Sequence, residues 1–230
     1  MKPMTEEHLA IYRRHMVEII DMHFDLNSDE IGRGELDPHL RAALMGVPRH
    51  LFVPQSLMLM AYQDTPLPIG FDKTISQPFI AALMIELLGI ERDLRVLEVG
   101  TGLGYQAAVM AEMGAEVWSV DVVEEFVEAA LERFSLLHYD IQVRVGDGSH
   151  GWPDHAPFDR ILVTAAAAEV PSALIDQLRP GGRMVIPLGG QDVQQLSVIE
   201  KDADGEVTTR TIMPVRFTQL EMATEPPTPV

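Results

Sequence analysis

The sequence contains no cysteine. That excludes disulfides, thiolate chemistry, iron–sulfur ligation and zinc sites built on cysteine, and it fits a reducing, cytoplasmic setting. Basic residues are scarce. Lys and Arg number 17 against 35 Asp and Glu, for a net charge of -18. Every quarter of the chain carries its own acidic excess, so the acidity belongs to the whole surface and not to a tail. Nucleic-acid affinity comes largely from Lys and Arg releasing counterions, so neither nucleic acid nor an anionic membrane is expected as a partner. Long apolar runs are missing as well. The most apolar stretch, Phe79 to Ile90, is interrupted by Glu86 and is too short to span a bilayer. The first thirty residues mix charges of both signs and lack the apolar core of a signal peptide.

What remains is the composition of a folded enzyme-sized unit. The chain has 230 residues, 47% hydrophobic, enough for one large domain. Residues 1–60 read as a helical cap. Leu9, Tyr12, Met16, Ile19, Ile20 and His23 recur at three- and four-residue steps. Asp37-Pro38 then starts a second helix, with the acid as N-cap and proline in the first turn. Beyond residue 90, strands alternate with helices: Arg95–Val99, Glu116–Val120, Gln142–Val145, Arg160–Val163 and Arg183–Pro187 as strands, Tyr105–Met113, 123–137 and Pro171–Leu178 as helices. Leu196–Glu200 and Val207–Met213 flank Asp204-Gly205, a hairpin signal. The pattern predicts an α/β fold: a doubly wound, mostly parallel sheet with an N-terminal helical cap and a C-terminal antiparallel hairpin. Ligands of such sheets bind at the carboxyl ends of the strands. One domain is expected over 1–220, with the core and substrate segments in 61–220. Residues 221–230, which include Thr224-Glu225-Pro226-Pro227-Thr228-Pro229, read as a mobile tail.

The strongest local signal is Glu98-Val99-Gly100-Thr101-Gly102-Leu103-Gly104-Tyr105, which follows a strand and opens a helix. Its G-x-G-x-G spacing is one residue shorter than a dinucleotide fingerprint. An acid at the strand end opposes a pyrophosphate and suits a ligand bearing ammonium or sulfonium, which favours S-adenosylmethionine over NAD. Asp121 ends the next strand, where an acid can accept from ribose hydroxyls. Asp147, in Gly146-Asp147-Gly148 after the third strand, is placed to accept from an adenine amino group. Each acid alone also reads as a loop residue or helix cap. The eight histidines show no metal-like spacing, so no metal is expected. Trp118 reads as core, and Trp152 as packing near the adenine or over the sheet end.

Several further segments carry a family resemblance: Val47-Pro48-Arg49-His50-Leu51-Phe52-Val53-Pro54, Ala61-Tyr62-Gln63-Asp64, Leu67-Pro68-Ile69-Gly70, Thr74-Ile75-Ser76-Gln77-Pro78 and Pro214-Val215-Arg216-Phe217. With the glycine loop they resemble the protein-L-isoaspartate (D-aspartate) O-methyltransferases from about Val47 to Leu220. The resemblance implies methyl transfer from S-adenosylmethionine to the free α-carboxyl of L-isoaspartyl residues, a protein-repair reaction on damaged proteins and peptides. It implies Ser76 as the active-site serine. For the cofactor it implies Thr74, Ile75, Ser76, Gln77, Glu98, Gly100, Thr101, Gly102, Asp121, Val122, Gly146, Asp147 and Gly148. For the substrate it implies Ile75, Val215, Arg216 and Phe217. A plain helix cap is the other reading of Ser76, because Ser is among the best N-caps. Main-chain N–H groups at the start of the Gln77–Leu88 helix are expected to help hold the acceptor anion.

The chain departs from the family pattern at Phe71-Asp72-Lys73 and Thr218-Gln219, both expected at the peptide site. These departures motivate an alternative, a methyltransferase of the same fold acting on an aspartate carboxyl of a dedicated partner peptide. A non-catalytic cofactor-binding protein is a further alternative, disfavoured because the acceptor segment is retained. The sequence does not set the oligomeric state, and a monomer is the default expectation.

Overall fold

The computed structural model describes residues 5–221. The expected mobile tail lies outside them except for Glu221. Three helices open the chain: α1 Glu6–Leu26, α2 Ser28–Ile31 and α3 Pro38–Gly46. Two 3₁₀ turns, Arg49–Phe52 and Gln55–Met60, and a small hairpin, β1 Leu67–Gly70 with β2 Lys73–Ile75, lead into α4 Pro78–Leu88. The alternating region follows: β3 Arg95–Val99, α5 Tyr105–Glu112, β4 Glu116–Asp121, α6 Glu124–Leu137, β5 Ile141–Val145, β6 Phe158–Val163, α7 Ser172–Gln177, β7 Leu178–Gly189, β8 Gln194–Lys201 and β9 Val207–Val215. The hairpin β1–β2 is the one paired element that the sequence pattern does not announce.

Seven strands form one sheet in the order β5-β4-β3-β6-β7-β8-β9. From β5 to β7 the neighbours run parallel, and β8 and β9 are antiparallel. The order reverses at β3, which has β4 on one side and β6 on the other. A doubly wound sheet opens its ligand crevice at that switch point, beyond the carboxyl end of the central strand. Here that place is Gly100.

Strand alternation sends Val96, Leu162, Val185 and Val198 into one core and Leu97, Val99, Ile161, Val163, Met184 and Ile186 into the other. The larger core holds α4, which is apolar around its whole circumference because α1 and α3 cover the side that does not face the sheet. Glu86 is its exception, accepting the Asp37 N–H at 3.0 Å and pairing with Arg33. Asp37 caps α3 as expected, accepting from the His39 and Leu40 N–H groups. The buried face of α1 is rotated from the expected one. Tyr12 is half exposed, while Arg13 turns inward. Arg13 tolerates burial because Tyr62, Met45 and Glu6 all accept from it. Trp118 is core, whereas Trp152 packs beside His155 and under Arg144. No helix among the described residues is long and apolar enough to cross a membrane.

Candidate active site

The chain leaves β3 through three glycines. Gly100 has φ +96, a conformation that an L side chain rarely adopts. A Cβ there would stand 2.3 Å from Thr164 Oγ1, which itself donates to the Val99 and Gly100 carbonyls. The acid at the end of β4 fixes the same loop: Asp121 accepts the Gly102 N–H at 2.8 Å and the Val123 N–H at 3.0 Å. Burial, the largest influence, raises the Asp121 pKa from its usual value.

Glu98 lies beneath the loop and is almost completely buried. Its carboxyl accepts from the Ser119 hydroxyl, which shares a 2.6 Å hydrogen bond with Thr101. Burial pushes the Glu98 pKa up to about 8. Without a ligand the acid at the strand end is therefore mostly protonated at neutral pH, and through Ser119 and Thr101 it also supports the loop.

These elements wall a cavity of about 830 Å³, counted out to its open mouth. Of the expected cofactor residues, Glu98, Gly100, Thr101, Gly102, Asp121 and Val122 line it from the sheet side. Thr74, Ile75, Ser76 and Gly148 line it from other sides. Gln77, Gly146 and Asp147 are not among its walls. Gln77 instead donates to Asp64 at 2.7 Å, and Asp147 caps the 3₁₀ turn Gly148–His150 by accepting the Ser149 N–H. Phe126, Thr164 and Tyr105 belong to the walls without having been foreseen.

A second cavity opens beside the first, with Gln77, Val215, Arg216 and Phe217 among its walls. Thr74, Ser76, Thr164 and Thr218 line both. Of the expected substrate residues, Ile75 faces the first cavity and not the second. Phe71-Asp72-Lys73 do not lie at the second cavity either. The β1–β2 turn carries Phe71 onto Phe126, with ring centroids 5.4 Å apart, and carries Lys73 to Glu221 beside the first cavity.

The helix-cap reading of Ser76 does not hold, because α4 begins at Pro78 and its N-cap is Gln77. The donors expected at that helix start are partly spent. Pro78 has no N–H, and the Phe79 N–H goes to Asp64 at 2.8 Å. Asp64 also receives His23 at 3.0 Å from α1. It is a hub to which the sequence assigns no role, since its partners lie on other elements, 13 to 41 residues away, and leave no local signature. Among the described residues, no three of His, Asp and Glu gather as a metal cluster.

Comparison with known proteins places the chain. Residues 25–225 match the family model for protein-L-isoaspartate(D-aspartate) O-methyltransferase. The protein-L-isoaspartate O-methyltransferase 2 of Syntrophobacter fumaroxidans is 50% identical over 210 residues, covering 90% of this chain and 85% of that one. The protein-L-isoaspartate O-methyltransferase 1 of a Polaromonas species is 48% identical over 221 residues, covering 96% and 94%. A solved protein-L-isoaspartate O-methyltransferase superposes with a TM-score of 0.77 at 29% identity, over 90% of this chain and 65% of its own longer one. A putative enzyme of that name from Plasmodium falciparum, solved with S-adenosyl-L-homocysteine, shares the fold at a TM-score of 0.76 and 23% identity, over 91% and 98%. The chain belongs to the protein-L-isoaspartate(D-aspartate) O-methyltransferase family.

Proposed function

We propose that this chain methylates the free α-carboxyl of L-isoaspartyl residues in damaged proteins and peptides with S-adenosylmethionine, and that its two cavities divide the work. The observation that carries the division is their shared wall at Thr74, Ser76, Thr164 and Thr218. A ligand in either cavity meets the other there.

The first cavity suits S-adenosylmethionine. Its glycines leave space that a Cβ would fill, Asp121 offers an acceptor to a ribose diol, and a cationic group bound beside Glu98 would favour that acid's ionised form. Glu98, Gly100, Thr101, Gly102, Asp121, Val122 and Gly148 would hold it, with Thr74, Ile75 and Ser76 along its other side. Gly146 and Asp147 would shape that end from behind the wall, and Gln77 would act through Asp64. When bound, this group supplies a methyl made electrophilic by the sulfonium.

The protein's own tasks are then few. An acceptor carboxylate is already ionised at neutral pH, so no strong general base is needed. The side chain of Ser76 donates one hydrogen bond and fixes the attacking carboxylate in line, which with a dry site lowers the barrier by several kcal/mol. Val215, Arg216 and Phe217 line the acceptor cavity together with Ser76 and hold the peptide backbone. Residues 1–220 form one catalytic unit on this reading. The acidic surface and the absence of cysteine support a cytoplasmic setting without nucleic acid or membrane.

The dedicated-partner alternative loses one of its motives, because Phe71-Asp72-Lys73 do not line the acceptor cavity, and Lys73 lines the first cavity instead. The deciding experiment is methyl transfer to a synthetic isoaspartyl peptide beside its aspartyl twin. Transfer to the first alone is expected. No transfer to several isoaspartyl peptides, by protein that binds S-adenosylhomocysteine, would overturn the proposal.

A further inference from the structure

Arg49 is the largest side chain that the fold buries completely. Its Nε donates to the Ala61 carbonyl at 2.8 Å and its Nη2 to the Ser76 carbonyl at 2.7 Å. The guanidinium lies 4.7 Å from the centre of the Tyr105 ring, and Tyr105 lines the first cavity. The guanidinium and the Tyr105 hydroxyl interact with each other, and Nη1 makes no further hydrogen bond among the described residues. The acid whose charge reaches Arg49, Asp64, is engaged by His23, Gln77 and the Phe79 N–H. A buried cation held by two main-chain carbonyls and an aromatic ring, with no carboxylate in contact, is costly to keep, and removing water strengthens its field on nearby groups.

We propose that Arg49 is a positioning residue for the acceptor: through the Ser76 carbonyl it fixes the serine, and its buried charge attracts the acceptor carboxylate to the shared wall of the two cavities. The inference rests on the reading above that the acceptor sits at Ser76. Its logic follows from the charges. Carboxylate and sulfonium neutralise each other as the methyl moves, so a cation in direct contact with the carboxylate would favour the ground state over the transition state. Arg49 stands one group back, behind a main-chain carbonyl. From there it draws the anion in without forming the ion pair that would blunt its attack. It therefore acts on peptide binding and KM more than on kcat.

The test separates charge from scaffolding. A labelled isoaspartyl peptide and the same peptide carrying a neutral carboxamide are titrated into protein saturated with S-adenosylhomocysteine. Wild type is expected to prefer the charged peptide by about tenfold. Arg49→Lys keeps that preference. Arg49→Gln and Arg49→Met lose most of it, with KM rising more than kcat falls and with affinity for S-adenosylhomocysteine within about threefold of wild type. Equal binding of the two peptides by wild type overturns the inference without any variant having to fold. Retention of the preference in Arg49→Gln or Arg49→Met also overturns it. Ser76→Ala tells the two readings apart. Unchanged kcat and KM in that variant would remove the acceptor from Ser76 and this inference with it. A slowed Ser76→Ala beside an Arg49→Gln that keeps its charge preference would remove Arg49 alone.

Discussion

The carboxylate of Asp121 accepts the Gly102 N–H at 2.8 Å, so the acid after β4 and the glycine loop after β3 form one unit. Removing the acid removes both a ligand acceptor and a brace for the loop. Asp121→Ala is expected to weaken S-adenosylhomocysteine binding by about 1–3 kcal/mol, the usual effect of losing a charged hydrogen-bond partner. Isothermal calorimetry measures it, and affinity equal to wild type would detach Asp121 from the site.

Gly100 offers a cleaner steric test. Its φ of +96 and the 2.3 Å approach of Thr164 Oγ1 both act against a side chain. Gly100→Ala should lower Tm and cofactor affinity, by roughly 1–3 kcal/mol for the backbone strain alone. Adding Thr164→Ala removes the clash and leaves the strain, so the double variant should recover only part of the loss. A thermal melt of the single variant that matches wild type would contradict the geometry.

Glu98 gives the protein a pH dependence whose sign follows from burial. Its pKa is raised to about 8 in the fold, from the 4.5 of an ordinary glutamate. Between those values the folded state holds a proton that the unfolded state has released. The stability this proton contributes is complete below about 4.5, falls as pH rises, and is lost above about 8. Glu98→Gln should flatten the decline of Tm between pH 5 and about 9 and raise Tm most at the alkaline end. Parallel curves for the two proteins would show that Glu98 does not titrate there.

The Phe71-Asp72 turn joins β1 to β2 with φ of +50 and +54, both in the left-handed region. Such a two-residue turn favours glycine at its second position. Asp72→Gly should therefore stabilise the protein by about 0.5–1 kcal/mol, since it relieves an aspartate from that conformation. Phe71→Ala should instead leave stability nearly unchanged and speed release of S-adenosylhomocysteine, because Phe71 touches Phe126 beside the cofactor cavity. Stopped-flow dissociation rates identical to wild type would rule out that covering role.

Most of the sheet was readable because its evidence is local. Arg95–Val99 is a short run rich in Val and Leu that leads directly into glycines, so the strand and the glycine loop after it are evident together. The β1–β2 hairpin was not, because Leu67-Pro68-Ile69-Gly70 is short and holds a proline, which reads against a strand. The site shows the same divide. Residues that act through their own loop, such as Gly100 and Asp121, were visible, whereas Asp64 and Arg49 act across long sequence separations. Burial also altered chemistry that the sequence suggested. Glu98 reads as a carboxylate suited to a cationic ligand, yet its burial under the loop keeps it mostly protonated while no ligand is bound.

Ser76 and Arg216 decide the last prediction, which concerns acceptor selectivity. An isoaspartyl residue continues the backbone through its side-chain carboxyl, so its free carboxyl lies one bond closer to the backbone nitrogen than that of aspartate. Ser76, Val215, Arg216 and Phe217 all line the acceptor cavity. A peptide held by Val215, Arg216 and Phe217 presents its carboxyl to Ser76 at a depth set by that one bond. Selection by depth needs no reading of side chains, so broad sequence tolerance should accompany strict discrimination. At least a hundredfold preference in kcat/KM for isoaspartyl over aspartyl peptides is expected, or about 2.7 kcal/mol. Arg216 is exposed and belongs to the peptide wall alone. Arg216→Ala should therefore raise the peptide KM while leaving S-adenosylhomocysteine affinity within about threefold. Ser76→Ala should lower kcat with a Tm close to wild type, since Gln77 and not Ser76 caps α4. Steady-state kinetics on the paired peptides, with melts of both variants, check all three outcomes. A preference below about tenfold would mean that the cavity does not measure the bond.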